Sequence, residues 1–131
     1  MSEKITLQKI FDLAWEHFIV GDGEPAWDEA GGCSYKTPDG RKCAVGLALP
    51  PHPDGEDCTY DGSFGVVAKG HPQLFDTSVL EISLISLAHF QIMLHDGLID
   101  SCSGEWNCSK EHRKASYVEA AWEFHLTVPS H

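Results

Sequence analysis

The apolar positions near the start of the chain recur with the period of an α-helix. They follow an i, i+3, i+4, i+7 spacing at Leu7, Ile10, Phe11, Ala14 and Phe18. Thr6 precedes this stripe, where its hydroxyl can accept a hydrogen bond from a backbone N–H of the first turn. The pattern predicts a helix from residue 7 to about residue 19, with one buried face.

Two short segments around a turn give the next signal. Residues 33–36 and 42–47 flank residues 37–40, in which Pro38 and Gly40 suit a type I turn that ends in a left-handed glycine. In a hairpin of this register, alternation places a mostly apolar set on one face: Cys33, Tyr35, Cys43, Val45 and Leu47. We therefore predict a β-hairpin that packs this face on the helices.

The second half of the chain favours helices. Ser78 and Glu81 match a capping box, which predicts a helix over residues 78–95. This segment is apolar nearly all round, so we interpret it as a central helix that its neighbours bury on several sides. Ser109 caps a further predicted helix over about residues 110–125. Its expected buried stripe comprises Val118, Ala121, Trp122 and His125.

Between hairpin and central helix, residues 50–77 are rich in proline and glycine and are expected to form a long connection, with a short strand near residues 63–68. The elements together predict an α+β fold: a small β-hairpin or sheet packed on about three helices. The chain has 131 residues, 42% of them hydrophobic, which suits a single domain spanning residues 1–131.

The charge balance limits the partners. Twenty Asp and Glu stand against nine Lys and Arg, for a formal net charge of −11. Such a surface repels phosphate backbones, so we expect no direct nucleic-acid binding. The acidity fits either solubility or mimicry of nucleic acid towards a basic protein. No apolar stretch predicts a membrane span and the first residues do not resemble a signal peptide, so the expected compartment is the cytoplasm.

The end of the predicted central helix carries the first candidate chemistry. Gln91 and His95 lie one turn apart, and Asp96 follows. His95 has two interpretations: a residue that caps the terminal carbonyls of the helix, or a group that binds a ligand or acts in catalysis. Sequence signatures of common hydrolases, phosphate-binding loops and dinucleotide-binding folds are missing.

The five cysteines suggest metal sites only weakly. In the cytoplasm they are expected to be thiols or metal ligands. Cys33 and Cys43 can furnish half of a thiolate site, but two buried thiols explain them as well. A zinc set is also conceivable, made of His95, Cys102, Cys108 and His112. Its spacing is unusual, so we expect no cofactor and retain zinc as a minority alternative.

Two of these motifs resemble those of a known family. Cys33-Ser-Tyr35-Lys36 with Lys42-Cys-Ala-Val-Gly46, followed by Gln91-x-x-x-His95-Asp96, is similar to small uncharacterised proteins of bacteriophages and prophages. The resemblance covers about residues 5–100. Lys36 stands where an Arg is usual, which weakens a bidentate contact to an anion there. The resemblance implies a phage or prophage context and no particular activity.

These features lead to three functional hypotheses. The first is a non-enzymatic phage accessory protein that counters host defence by sequestering a nucleotide-like ligand among Tyr35, Lys36, Gln91, His95 and Asp96. The second is an acidic inhibitor that blocks a host protein by mimicking nucleic acid. The third is a small hydrolase or transferase that depends on His95, Asp96 and a cysteine. Homo-oligomerisation is left open by the sequence.

Overall fold

The computed structural model describes residues 4–21, 23, 27–28, 32–33, 42–50, 60, 64–100 and 105–129. These residues form a helical protein. Five α-helices follow each other along the chain: α1 (Leu7–Ala14), α2 (Phe64–Gly70), α3 (Thr77–Leu80), α4 (Leu84–Leu94) and α5 (Lys110–Glu123). A π-helical segment, Trp15–Val20, continues α1, and single 3-10 turns cover Pro72–Leu74 and Asp96–Leu98. The predicted α+β fold is therefore wrong.

The expected β-hairpin fails at its return strand. Residues 44–48 form helical turns, in which the Leu47 N–H donates to the Cys43 carbonyl and the Ala48 N–H to the Val45 carbonyl, both at 3.0 Å. Cys43, Ala44 and Val45 are each fully buried, whereas an alternating strand on a core exposes every second residue. Residues 34–41, with the predicted turn, lie outside the described part of the chain.

Among the described residues, β-pairing is limited to one pair of two-residue strands and two isolated bridges. Trp27–Asp28 pairs antiparallel with Gly32–Cys33, and single bridges join Ile5 to Phe75 and Ile99 to Trp106. None of these contacts makes a sheet on which helices pack. The predicted strand near residues 63–68 is also wrong, because the chain enters α2 at Phe64.

The first helix is confirmed. Thr6 caps it by accepting a hydrogen bond from the Lys9 N–H at 3.0 Å, and every residue of the predicted stripe is buried. Beyond Ala14 the helix widens, and the Gly21 N–H bonds the Glu16 carbonyl five residues earlier, at 2.9 Å. The wider turns carry the apolar face onward through Trp15, Phe18 and Ile19.

The predicted central helix is two helices. Asp76 caps α3 by accepting from the Ser78 N–H at 2.9 Å, and Ser83 caps α4 by accepting from the Ser86 N–H at 3.2 Å. The predicted burial on several sides is also wrong, because Ile85 is 83% exposed. The buried residues of α4 share one face of the helix: Leu87, Phe90, Gln91 and Leu94.

The last helix begins where expected. The Ser109 hydroxyl accepts from the His112 N–H at 3.2 Å. Its buried face differs from the predicted one and comprises Arg113, Tyr117, Ala120 and Ala121, while Trp122 is 85% exposed. The two faces overlap at Ala121 alone, since the predicted stripe is rotated towards solvent.

α4 lies at the centre of the packing and contacts both α2 and α5, and α5 also contacts the π-helical segment. α4 and α5 run antiparallel, because Met93 lies beside Ser116 whereas His89, one turn earlier, lies beside Glu123. None of the helices in the described ranges is long and apolar enough to cross a membrane.

Candidate functional site

Gln91 belongs to the interior and ties two parts of the chain together. Its side chain is 3% exposed, and its Oε1 accepts a hydrogen bond from the Val45 N–H at 3.2 Å. Next to it, the Cys43 Sγ accepts from the Gly46 N–H at 3.3 Å. The predicted hairpin motif and the predicted helix-end motif therefore do meet, with Gln91 as the contact.

His95 is fully buried among aromatic rings. Its ring centroid lies 5.5 Å from that of Phe18 and 5.8 Å from that of Trp106, and the Trp106 contact is edge-to-face. Phe18 and Trp106 also contact each other, with centroids 5.3 Å apart. We call these three rings the His95 cluster. Its geometry is that of a packed aromatic core.

Trp106 anchors the His95 cluster to the surrounding chain. Its indole N–H donates to the Gly23 carbonyl at 2.9 Å. The guanidinium of buried Arg113 lies 4.8 Å from the Trp106 ring centroid, within cation–π distance, and Arg113 also donates to the Cys108 carbonyl at 3.3 Å. The cluster thus joins the π-helical segment, the end of α4 and the start of α5.

Side chains of α5 satisfy the last carbonyls of α4. The Ser116 hydroxyl donates to the Met93 carbonyl and the Tyr117 hydroxyl to the Leu94 carbonyl, each at 2.7 Å. Burial raises the pKa of Tyr117 well above its usual value, more than nearby Arg113 lowers it, so the phenol keeps its proton as a donor. The sequence pattern suggested His95 for this capping and gave no indication of Ser116 and Tyr117.

The five predicted ligand-binding residues are only partly placed. Gln91 and His95 come together in the interior, Tyr35 and Lys36 lie outside the described residues, and Asp96 is described by its backbone alone, at the start of a 3-10 turn. The nucleotide pocket therefore stays a prediction. The two placed members have partners from the protein itself.

The zinc alternative also stays a prediction, because Cys102 lies outside the described residues. Across the described ranges, no group of three or more His, Cys, Asp and Glu residues is arranged to hold a metal ion. Burial raises the pKa of the Cys108 thiol, partly offset by Arg113, and so favours the thiol over the thiolate that zinc requires. Cys43 is a free, buried thiol.

We predict that Gln91→Ala lowers the free energy of unfolding by about 1–2 kcal/mol, because it leaves the buried Val45 N–H without its acceptor. Urea denaturation followed by helical circular dichroism measures the change. Exposed Gln73→Ala is the matched control and is expected to stay within about 0.5 kcal/mol of the unmodified protein. Equal losses in the two variants would show that the hydrogen bond between Gln91 and Val45, which we call the Gln91 link, contributes nothing to stability.

A second candidate site lies on the surface, where α4 and α5 leave an open groove. Its first cleft has a volume of about 500 Å³ and is lined by His89, Met93, Val118, Glu119, Trp122 and Glu123. A second cleft of about 440 Å³ shares His89 and Glu123 with the first and extends past Ile82 and Ile85 to Phe124 and His125. We call the two together the α4–α5 groove.

The groove combines large exposed apolar groups with acidic ones. Ile85 and Trp122 are 83% and 85% exposed, and Val118 is also open to solvent. The His89 Nε2 of α4 lies 3.3 Å from a Glu123 carboxylate oxygen of α5, and both residues line the two clefts. Neither Lys nor Arg is among the described side chains that line the two clefts. The surface therefore offers apolar anchors in an acidic setting.

The helical spacing predicted Trp122 in a buried stripe and gave no indication of this groove. A usable signal was present, since α4 carries apolar residues on more sides than one neighbour can cover. The excess of apolar positions indicates either deep burial or a binding face, and only the packing distinguishes the two.

The fold and the groove define a small helical protein with a packed aromatic interior and an open acidic-apolar face. No protein-family description, curated protein or solved structure matches this chain. The resemblance to phage proteins therefore depends on the quoted motifs alone.

Proposed function

We propose that the protein is a non-enzymatic binding protein that acts by contacting another protein through the α4–α5 groove. The exposure of Trp122 is the observation that carries this proposal. Tryptophan is enriched among the residues that contribute most to protein–protein binding, because its burial removes a large apolar area from water. Here it stands 85% exposed beside Val118, facing the clefts that reach Ile85.

The composition of the groove favours a protein partner over a phosphorylated small molecule. Glu119 and Glu123 line its larger cleft, and carboxylates repel phosphate. The interior Gln91 and His95 engage Val45, Phe18 and Trp106. The carboxylates of the groove and the internal partners of Gln91 and His95 together favour the second of the three hypotheses, an acidic inhibitor of a host protein. An accessory role in a phage, directed against host defence in the cytoplasm, stays a prediction of the motifs.

We expect Trp122→Ala to weaken binding of the partner protein about thirtyfold while the free energy of unfolding stays within about 0.5 kcal/mol. The immobilised protein first captures candidate partners from a bacterial lysate. Each is then purified and titrated by calorimetry against the unmodified protein and the variant.

Val66→Ala is the matched control, because Val66 is an apolar residue of α2 that is 53% exposed and does not line the groove. Its affinity for the partner is expected to be unchanged. Equal affinities of all three proteins for every purified partner, or no measurable complex with any of them, would rule out the groove as the binding site.

A further inference from the structure

The shape of the groove suits a third helix. α4 and α5 are antiparallel neighbours, and two such helices form a trough into which the ridge of another helix packs. On α4 the positions that line the groove include Ile85, His89 and Met93, which recur at every fourth residue. On α5, Val118 and Trp122 lie one turn apart. α4 has 11 residues, which corresponds to a length of about 16 Å.

The negative charge of the groove favours a partner helix that carries positive charge. Glu119 and Glu123 line its wall, and the whole chain carries a formal net charge of −11. The described cations of α5 nearest to Trp122 in sequence are Lys114 and Arg113. Lys114 lies eight residues away, about 12 Å along the helix, over the Trp15 ring, and Arg113 is buried. A second copy of the chain would bring another large negative charge to this face.

We infer that the α4–α5 groove binds a cationic amphipathic helix of the partner protein, with apolar anchors against Trp122 and Ile85 and Lys or Arg beside Glu119 and Glu123. This inference rests on the proposed function and names the chemistry of the partner. Helix-in-groove recognition needs an apolar stripe for affinity, and the flanking charges set the specificity and the rate of association.

The test uses three synthetic helical peptides of about 15 residues with one apolar stripe in common. The first carries Lys on both flanks of the stripe, the second Gln and the third Glu. Fluorescence anisotropy measures their affinities for the full chain at about 50 and about 300 mM NaCl. We expect the Lys peptide to bind at least about tenfold more tightly than the Gln peptide at low salt, and this advantage to shrink at high salt.

Two variants test separately how the carboxylates and the Trp122 side chain contribute to peptide binding. The double variant Glu119→Gln with Glu123→Gln is expected to remove most of the difference between the Lys and Gln peptides. Trp122→Ala is expected to weaken all complexes, and Val66→Ala none. Binding of the Lys peptide that is unaffected by Trp122→Ala is non-specific attraction to an acidic protein and overturns the inference.

Other outcomes separate the inference from the proposed function. Equal affinities for the Lys and Gln peptides, both lost in Trp122→Ala, overturn the cationic partner but leave the groove as a protein-binding site. The same holds if no peptide binds while a captured protein does so through Trp122. A dimer in sedimentation velocity that Trp122→Glu dissociates identifies a second copy as the occupant and overturns the inference.

Discussion

Phe18→Ala is expected to lower the free energy of unfolding by about 3–5 kcal/mol, because it removes one of the three rings of the His95 cluster. Phe18 is fully buried and contacts the rings of His95, Trp106 and His17. Its loss opens a cavity between the π-helical segment and the end of α4. A change of this size is a large share of the stability of a domain of this length.

Urea denaturation measured by tryptophan fluorescence and by circular dichroism checks this expectation. Val20→Ala is the matched control, because Val20 belongs to the same π-helical segment but is 48% exposed. It is expected to cost less than about 1 kcal/mol. If both variants lose the same small amount, the cluster is loosely packed and the interior position assigned to His95 is wrong.

Gly65→Ala is expected to destabilise the fold by about 3 kcal/mol, at the upper end of the range for overpacking. A Cβ atom at Gly65 would lie 2.8 Å from the Cα and 2.9 Å from the carbonyl oxygen of Leu84. These are backbone atoms of the first turn of α4, which cannot rotate away as a flexible side chain can. α2 and α4 therefore have to separate, and the contacts between them weaken.

The same helix supplies the control for this substitution. A Cβ atom at Gly70, the last residue of α2, meets nothing within 4 Å. Gly70→Ala is therefore expected to leave the thermal midpoint unchanged or to raise it, because alanine has the higher helix propensity by up to about 1 kcal/mol. A Gly65→Ala protein as stable as Gly70→Ala would contradict the close approach of α2 to α4.

The interior and the surface of this protein have different roles. The His95 cluster and the Gln91 link hold α4 against the π-helical segment, the helical turns at residues 44–48 and the start of α5. These contacts hold the buried face of α4 in place, while exposed residues of α4 form the groove together with α5. Gln91 and His95, two of the five residues that suggested a ligand pocket, thus contribute to the scaffold behind the proposed binding surface.

One contact between the two sequence motifs is present in the structure. Gln91 does reach the Lys42–Gly46 motif, as the proposed docking of motif on helix required, but the partner is a backbone N–H of a helical turn instead of a strand. The sequence contains no sign of this difference, because both arrangements bury Cys43 and Val45. A ligand can bind His95 only if it can reach the imidazole ring. Neither the position of His95 in the helix nor the residues next to it in sequence indicate whether the ring is buried.

The amino-acid sequence by itself determined the local features. Thr6 and Ser109 start helices where expected, and the stripe of α1 is buried as its spacing indicates, because a cap or a periodic face depends on residues within a few turns. Only the tertiary structure decided between strand and helical turn at residues 44–48, and which sides of α4 and α5 are covered. Burial depends on which distant elements pack on a face, so an apolar residue such as Trp122 can lie in a core or on an open groove with the same local sequence.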